Sequence, residues 1–177
     1  MRIVITGRPG VGKSTIFKSL VFALKERGYK VGGIIAPEHR ENNVRVGFKV
    51  VDLLTGEEAW LARRNWASSV RVGVYGVLVH EADELVKKAL TGALSGAEIV
   101  AVDEVGPMEL KLPSFKPLLL RVLEADKPAI FVVHINMSDS DILSRLKEAK
   151  KIVLTLDNRE YYTKALLSDL LAALKTV

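Results

Sequence analysis

Cysteine is absent from the 177 residues, so disulfides and thiolate chemistry have no part in what this chain does. Glutamine is also missing and methionine occurs only three times, a composition that leans towards a thermophilic source. Nowhere do 18 apolar residues run without a charge, which excludes a membrane-spanning helix. The first apolar stretch, Ile3-Val4-Ile5, is too short for a signal-peptide core and runs straight into a glycine loop. A soluble, cytoplasmic protein is therefore expected. Repeats, low-complexity segments and Pro/Gly/Ser-rich linkers are lacking too, so residues 1–177 are expected to form one domain of ordinary size.

What is present suits a folded enzyme. Apolar residues make up 49% and charged residues 27%, enough for a buried core under a wetted surface. The net charge of +5 is uneven: residues 1–75 carry 13 Lys and Arg against 6 Asp and Glu, while residues 76–177 carry 13 against 15. A basic N-terminal half suits a polyanion such as a triphosphate, suits nucleic acid as well, and is equally an ordinary solvated surface. No recognisable nucleic-acid motif accompanies it. Nothing in the sequence forces an oligomer, and a monomer is expected.

Short, continuous, β-branched apolar runs predict strands at Arg2–Thr6, Val31–Ala36, Ile99–Asp103, Ala129–His134 and Ile152–Leu156. Helical spacing between them predicts helices over Lys13–Arg27, Glu81–Leu94, Ser114–Glu124, Ser138–Lys150 and Asn158–Lys175. Buried strands alternating with helices imply a mostly parallel sheet covered on both faces. Val44–Asp52 and Glu57–Ala62, joined at Leu54-Thr55-Gly56, predict an inserted antiparallel hairpin, with a further short strand at Tyr75–Val79.

Gly7-Arg8-Pro9-Gly10-Val11-Gly12-Lys13-Ser14, followed by Thr15, meets the G-x-x-x-x-G-K-[ST] phosphate-loop pattern at every fixed position. The glycines let successive backbone N–H groups curl around phosphate oxygens, and Lys13 can reach between the β- and γ-phosphates. Ser14 can offer its hydroxyl to magnesium, and the helix that starts here adds its positive dipole end. The loop stands directly between a predicted strand and a predicted helix, as that mechanism requires.

Ile99–Asp103 ends in the pair Asp103-Glu104. An aspartate there suits a magnesium site, and the next glutamate suits a general base that polarises the attacking water. Asp103-Glu104-Val105-Gly106 also fits the D-x-x-G of G proteins. A guanine-reading N-K-x-D is absent, however, and Pro107 stands where that class carries its glutamine. His134 ends another predicted strand, where a polar residue can sense the γ-phosphate; a hydrogen-bonded structural histidine is the plainer reading. Arg145 is a candidate for charge neutralisation and Arg159 for contact with the base, although both also read as exposed helix arginines.

The chain resembles the small THEP-type nucleoside-triphosphatases, which include the cancer-related nucleoside-triphosphatase. The resemblance rests on GRPGVGKS at 7–14, GGIIAPEHRENNVRVGFKVVDLLTG at 32–56, LAR at 61–63, VGVYGV at 72–77, DEVGPMEL at 103–110 and DNRE at 157–160. It implies a P-loop α/β fold of the RecA-like type, three layers deep, and slow, magnesium-dependent, base-tolerant hydrolysis of nucleoside triphosphates. It also implies phosphate binding by Gly7–Ser14, metal binding by Asp103 and general-base catalysis by Glu104. Asn42-Asn43 depart from the family, which often has glycine there. The segment Glu38-His39-Arg40, with Arg45 and Phe48, is not explained by phosphate-loop logic: its arginines reach the triphosphate, or a second ligand, or form a salt-bridged hairpin surface. Two other classes remain open: a small-molecule or polynucleotide kinase, and an RNA-associated module whose hydrolysis times release.

Overall fold

The computed structural model describes residues 1–175; residues 176–177 of the expected domain lie outside the described residues. Five strands form a parallel half-sheet in the order β10 (Lys150–Val153), β1 (Arg2–Thr6), β9 (Ala129–Val133), β8 (Ile99–Val105), β2 (Val31–Ile35). Their side chains alternate between two cores, one on each face. Ile3, Ile5, Ile99, Ala101, Ile130 and Val132 point to one side; Val4, Val100, Val102 and Phe131 point to the other. Both faces are buried, so the strands read as unbroken apolar runs. Each fully buried Ile, Val or Phe contributes about 1.5–3 kcal/mol of transfer free energy.

Helices α1 (Lys13–Glu26) and α5 (Arg159–Leu174) cover the first face through Phe17, Leu20, Leu24, Leu166 and Leu170. On the second lie α2 (Val79–Gly96), α3 (Phe115–Glu124) and α4 (Ser140–Arg145), contributing Leu90, Leu119 and Ile142 among others. The three-layer α/β/α arrangement is as expected.

The predicted hairpin forms from β4 (Val44–Asp52) and β5 (Glu58–Arg64) and is the centre of a larger antiparallel wing. β4 pairs with the edge of β2, β7 (Tyr75–Val77) and β6 (Arg71–Val72) extend the sheet beyond β5, and β3 (Glu38–Glu41) pairs with β4. The turn closes through Gly56 N–H to Asp52 O at 2.8 Å and an Asx turn from Leu54 N–H to Asp52 Oδ1 at 2.8 Å.

Two predicted elements differ. The helix expected over Ser138–Lys150 is only Ser140–Arg145: Asp139 caps its start, accepting from Asp141 N–H and Ile142 N–H at 3.1 Å, and the chain turns out after Leu146. The last strand comes earlier than Ile152–Leu156, because pairing with β1 begins at Lys150. Among the described residues, no helix is long and apolar enough to cross a membrane.

Candidate nucleotide site

The loop between β1 and α1 is shaped by close packing. At Gly7, φ is +150°, and a Cβ there would lie 2.6 Å from the carbonyl oxygen of Leu154, which follows β10. At Gly12, φ is +102°, a left-handed conformation in which the chain enters α1. The Lys13 ammonium donates to the carbonyls of Gly7 (2.9 Å) and Arg8 (3.0 Å), which holds its charge over the loop. Backbone N–H groups of the first turn of α1 add partial positive charge at the same place.

Across the cavity stands the C-terminal end of β8. Adjacent residues on a regular strand face opposite sides, which would hide one of Asp103 and Glu104. A register shift against β9 prevents this: Asp103 pairs with Val132 and Val105 with Val133, so Glu104 is an extra residue in a bulge. Both carboxylates consequently face one cavity of about 730 Å³, together with Lys13, Ser14 and His134.

Burial sets the electrostatics. The Asp103 carboxyl is 5% exposed, and loss of water pushes its pKa up to about 6. The hydrogen bond from Ser14, the Lys18 and Lys13 charges pull it down, and the neighbouring Glu104 charge pushes it up. Burial also raises Glu104, against the lowering effect of Lys13. A carboxylate raised towards neutrality is a stronger base than an exposed one.

Glu109, which sequence reasoning did not single out, belongs to this site. It opens a one-turn 3-10 helix, Glu109–Lys111, is 5% exposed, and lines the cavity. Burial pushes its carboxyl up to about 8; N–H groups of Glu109 and Gly106 act against this, and the charges of Glu104 and Asp103 reinforce it. A Cβ on Gly106 would lie 3.2 Å from Glu109 Oε2 and 3.4 Å from Glu104 Cδ, so the two carboxyls converge on that glycine. Lys18 was missed as well. Its position one turn after Ser14 was the available signal; Glu109 had none beyond its place in DEVGPMEL.

The other sequence-derived residues divide. Gly7, Pro9, Gly10, Gly12, Lys13, Ser14, Thr15, Asp103, Glu104 and His134 line the cavity. Arg8 is exposed, Val11 packs against the α1–α5 core, and Val105 is buried; these and Gly106 do not line it. His134 Nδ1 accepts from Asn136 N–H at 3.2 Å, which leaves Nε2 as the nitrogen that can donate. Arg145 lies outside, tied to Glu124 at 2.7 Å. Arg159 also lies outside the cavity, with its Cδ 3.9 Å from the place a Gly12 Cβ would occupy. Asn158 makes no capping bond and instead clamps its loop, accepting from Thr155 N–H at 2.9 Å and donating to Val153 O at 3.0 Å.

A loop of this geometry facing an Asp-Glu strand end can be compared with known proteins. The family model described as NTPase matches residues 2–167. The chain belongs to this NTPase family. A nucleoside-triphosphatase THEP1 from Saccharolobus solfataricus is 39% identical over 174 residues, covering 98% of this chain and 95% of that protein. The crystal structure of THEP1 from the hyperthermophile Aquifex aeolicus superposes with a TM-score of 0.83 at 28% identity, covering 96% of this chain and 99% of that one. The solution structure of a human cancer-related nucleoside triphosphatase gives a TM-score of 0.80 at 24% identity, covering 96% of each chain, and so shares the fold. Both lengths and fold of the NTPase family are therefore matched almost end to end.

Proposed function

We propose that this chain hydrolyses the γ-phosphate of ATP, GTP, CTP and UTP in a magnesium-dependent, base-tolerant reaction. The observation that carries the reading is the single cavity in which Lys13 and Ser14 face Asp103 and Glu104. The relatives named nucleoside-triphosphatase support the same reaction class.

The donor set suits magnesium. The Ser14 hydroxyl and the Asp103 carboxylate are hydrogen-bonded to each other, and both are hard oxygen donors. These two residues would hold the ion, which when bound supplies positive charge against the β- and γ-phosphate oxygens. Loop N–H groups and Lys13 bind and orient the triphosphate and stabilise the charge that develops on its terminal oxygens. Glu104 takes a proton from the attacking water at its carboxylate. His134 donates from Nε2 to a γ-phosphate oxygen. The cavity-lining residues of Gly7–Thr15, with Asp103 and Glu104, make up the binding surface, and Arg159, crossing Gly12, stands on the side where the base leaves the loop. The reading goes with a cytoplasmic monomer.

Arg145 does not line the cavity and pairs with Glu124 at 2.7 Å, so the one arginine the kinase alternative had in this region stands away from the phosphates. The test is phosphate release from the four triphosphates with magnesium, comparing the intact chain with Glu104→Ala. Similar rates on all four, lost at least ~100-fold in the variant while nucleotide still binds, are expected. Unchanged release by Glu104→Ala would sink the assignment of the base.

A further inference from the structure

Strand order determines which way the cavity extends. The phosphate loop follows β1, Asp103 and Glu104 end β8 two strands away, and β2 and β4 come next. A triphosphate lying on the loop with its γ-phosphate towards Glu104 therefore presents its terminal oxygens to the β2–β4 side. Its nucleoside leads the opposite way. Yet the cavity continues past Glu104 to Pro37, Arg45, Phe48 and Val72, and among the described residues none of its lining comes from β10 or α5. A nucleotide lying this way would leave this compartment unfilled.

We propose that it is a second ligand site, which takes a small organic anion with an apolar body alongside the bound triphosphate. The inference rests on the nucleotide reading above. Phe48 and Val72, both packed on the core beneath, form the apolar wall. Arg45 forms the polar end, and three contacts preorganise it. Its Nε donates to the Tyr75 hydroxyl at 2.9 Å, and its guanidinium carbon lies 5.5 Å from the Phe48 ring centroid and 5.8 Å from that of Tyr75. Phe48 and Tyr75 are themselves locked edge to face at 5.2 Å.

Glu38 lines the same compartment but is shared between Arg40 and Arg45, so the three side chains together remain net positive. Its contact with Arg45 is 3.3 Å, whereas Arg40 holds it at 2.8 Å, and both pairs are exposed to solvent. Exposed pairs are worth about 0–1 kcal/mol. Arg45 Nη2 has no hydrogen bond among the described residues. A preoriented guanidinium with a free amino edge, set at the end of an apolar wall, is built for a carboxylate or phosphonate carried on a flat hydrophobic group.

Calorimetric titration of phenylphosphonate into the chain saturated with magnesium and a non-hydrolysable ATP analogue tests the site. Saturable binding is expected in the loaded protein, with methylphosphonate at least ~10-fold weaker for want of the apolar body. Arg45→Lys, which keeps the charge but loses the Tyr75 bond and the free Nη2 edge, and Phe48→Leu, each loaded with analogue and checked for an intact melting transition, should both lower affinity about 10-fold. Binding only to the nucleotide-free chain, absence of saturable binding, or equal affinity in both variants overturns the proposal. If the analogue itself fails to bind the intact chain, the nucleotide reading falls with it; if the analogue binds and phenylphosphonate does not, only the second site falls.

Discussion

Glu109 is the residue at which burial has the clearest measurable consequence. Its carboxyl ordinarily titrates near 4.5 and is pushed up to about 8 in the folded chain. Between those values the folded chain keeps a proton that the unfolded chain has released, so raising pH across this window favours unfolding. Glu109→Gln should flatten that dependence and raise stability at pH 8 by on the order of 2 kcal/mol relative to the intact chain. Urea midpoints at pH 5.5, 7 and 8.5, without metal or nucleotide, check this; parallel curves would refute it. Asp103, raised to about 6, bends both curves in the same direction at lower pH, so the difference between them isolates Glu109. At this scale the site was half legible. Lys13, Ser14, Asp103 and Glu104 announce themselves because phosphate chemistry demands fixed spacing. Glu109 is surrounded by Asp103, Glu104 and Gly106, close in sequence, but nothing in their order says that its carboxyl is buried. Arg45 stands out with Phe48 in the family segment, yet its partner Tyr75 lies 30 residues on and no local pattern pairs the two.

Among the elements, the parallel strands were legible because each is buried on both faces and so reads as an unbroken apolar run. β3 was not, since Glu38-His39-Arg40-Glu41 pairs only with β4 and mostly faces solvent. The overlong α4 prediction has a different cause: charged residues keep helical spacing beyond Arg145, but Ile142 is the sole residue of α4 buried in the core. Tertiary packing, which gives a helix most of its stability, ends there. Asp139→Ala removes the cap of α4 and its 2.7 Å pair with Lys116, and should cost ~1 kcal/mol. Gly33→Ala is far more damaging. Its φ is +121°, and the new Cβ would lie 2.0 Å from the Ala101 carbonyl oxygen on β8, two residues before Asp103. A loss of ~3 kcal/mol or more is expected, lowering the melting midpoint by about 10 °C. A shift below 2 °C for Gly33→Ala would contradict the packing of β2 on β8.

For the whole molecule, ligand binding and folding are one equilibrium. An ATP analogue with magnesium at about 100 times its Kd should stabilise the chain by ~2.7 kcal/mol, a rise of roughly 5–10 °C. Chelation of the metal should remove most of that rise, and Lys13→Ala should remove it altogether; a rise that survives both would place the ligand elsewhere. The three-layer architecture was legible in the alternation of strands and helices. The extent of the antiparallel wing was legible only in part: the short strand expected at Tyr75–Val79 is β7, which ends at Val77 before α2 begins, but β6 is two residues long and carries too little pattern to read. That wing joins the parallel half along one seam, where Ile34 pairs with Asp52 and Ile35 with Val51. Asp103 and Glu104 on β8 and the Phe48 wall on β4 therefore meet in one cavity without sharing a strand. On the proposed reading, substitutions in the wing would change which anion the second compartment takes while the phosphate loop and the end of β8 keep their own residues.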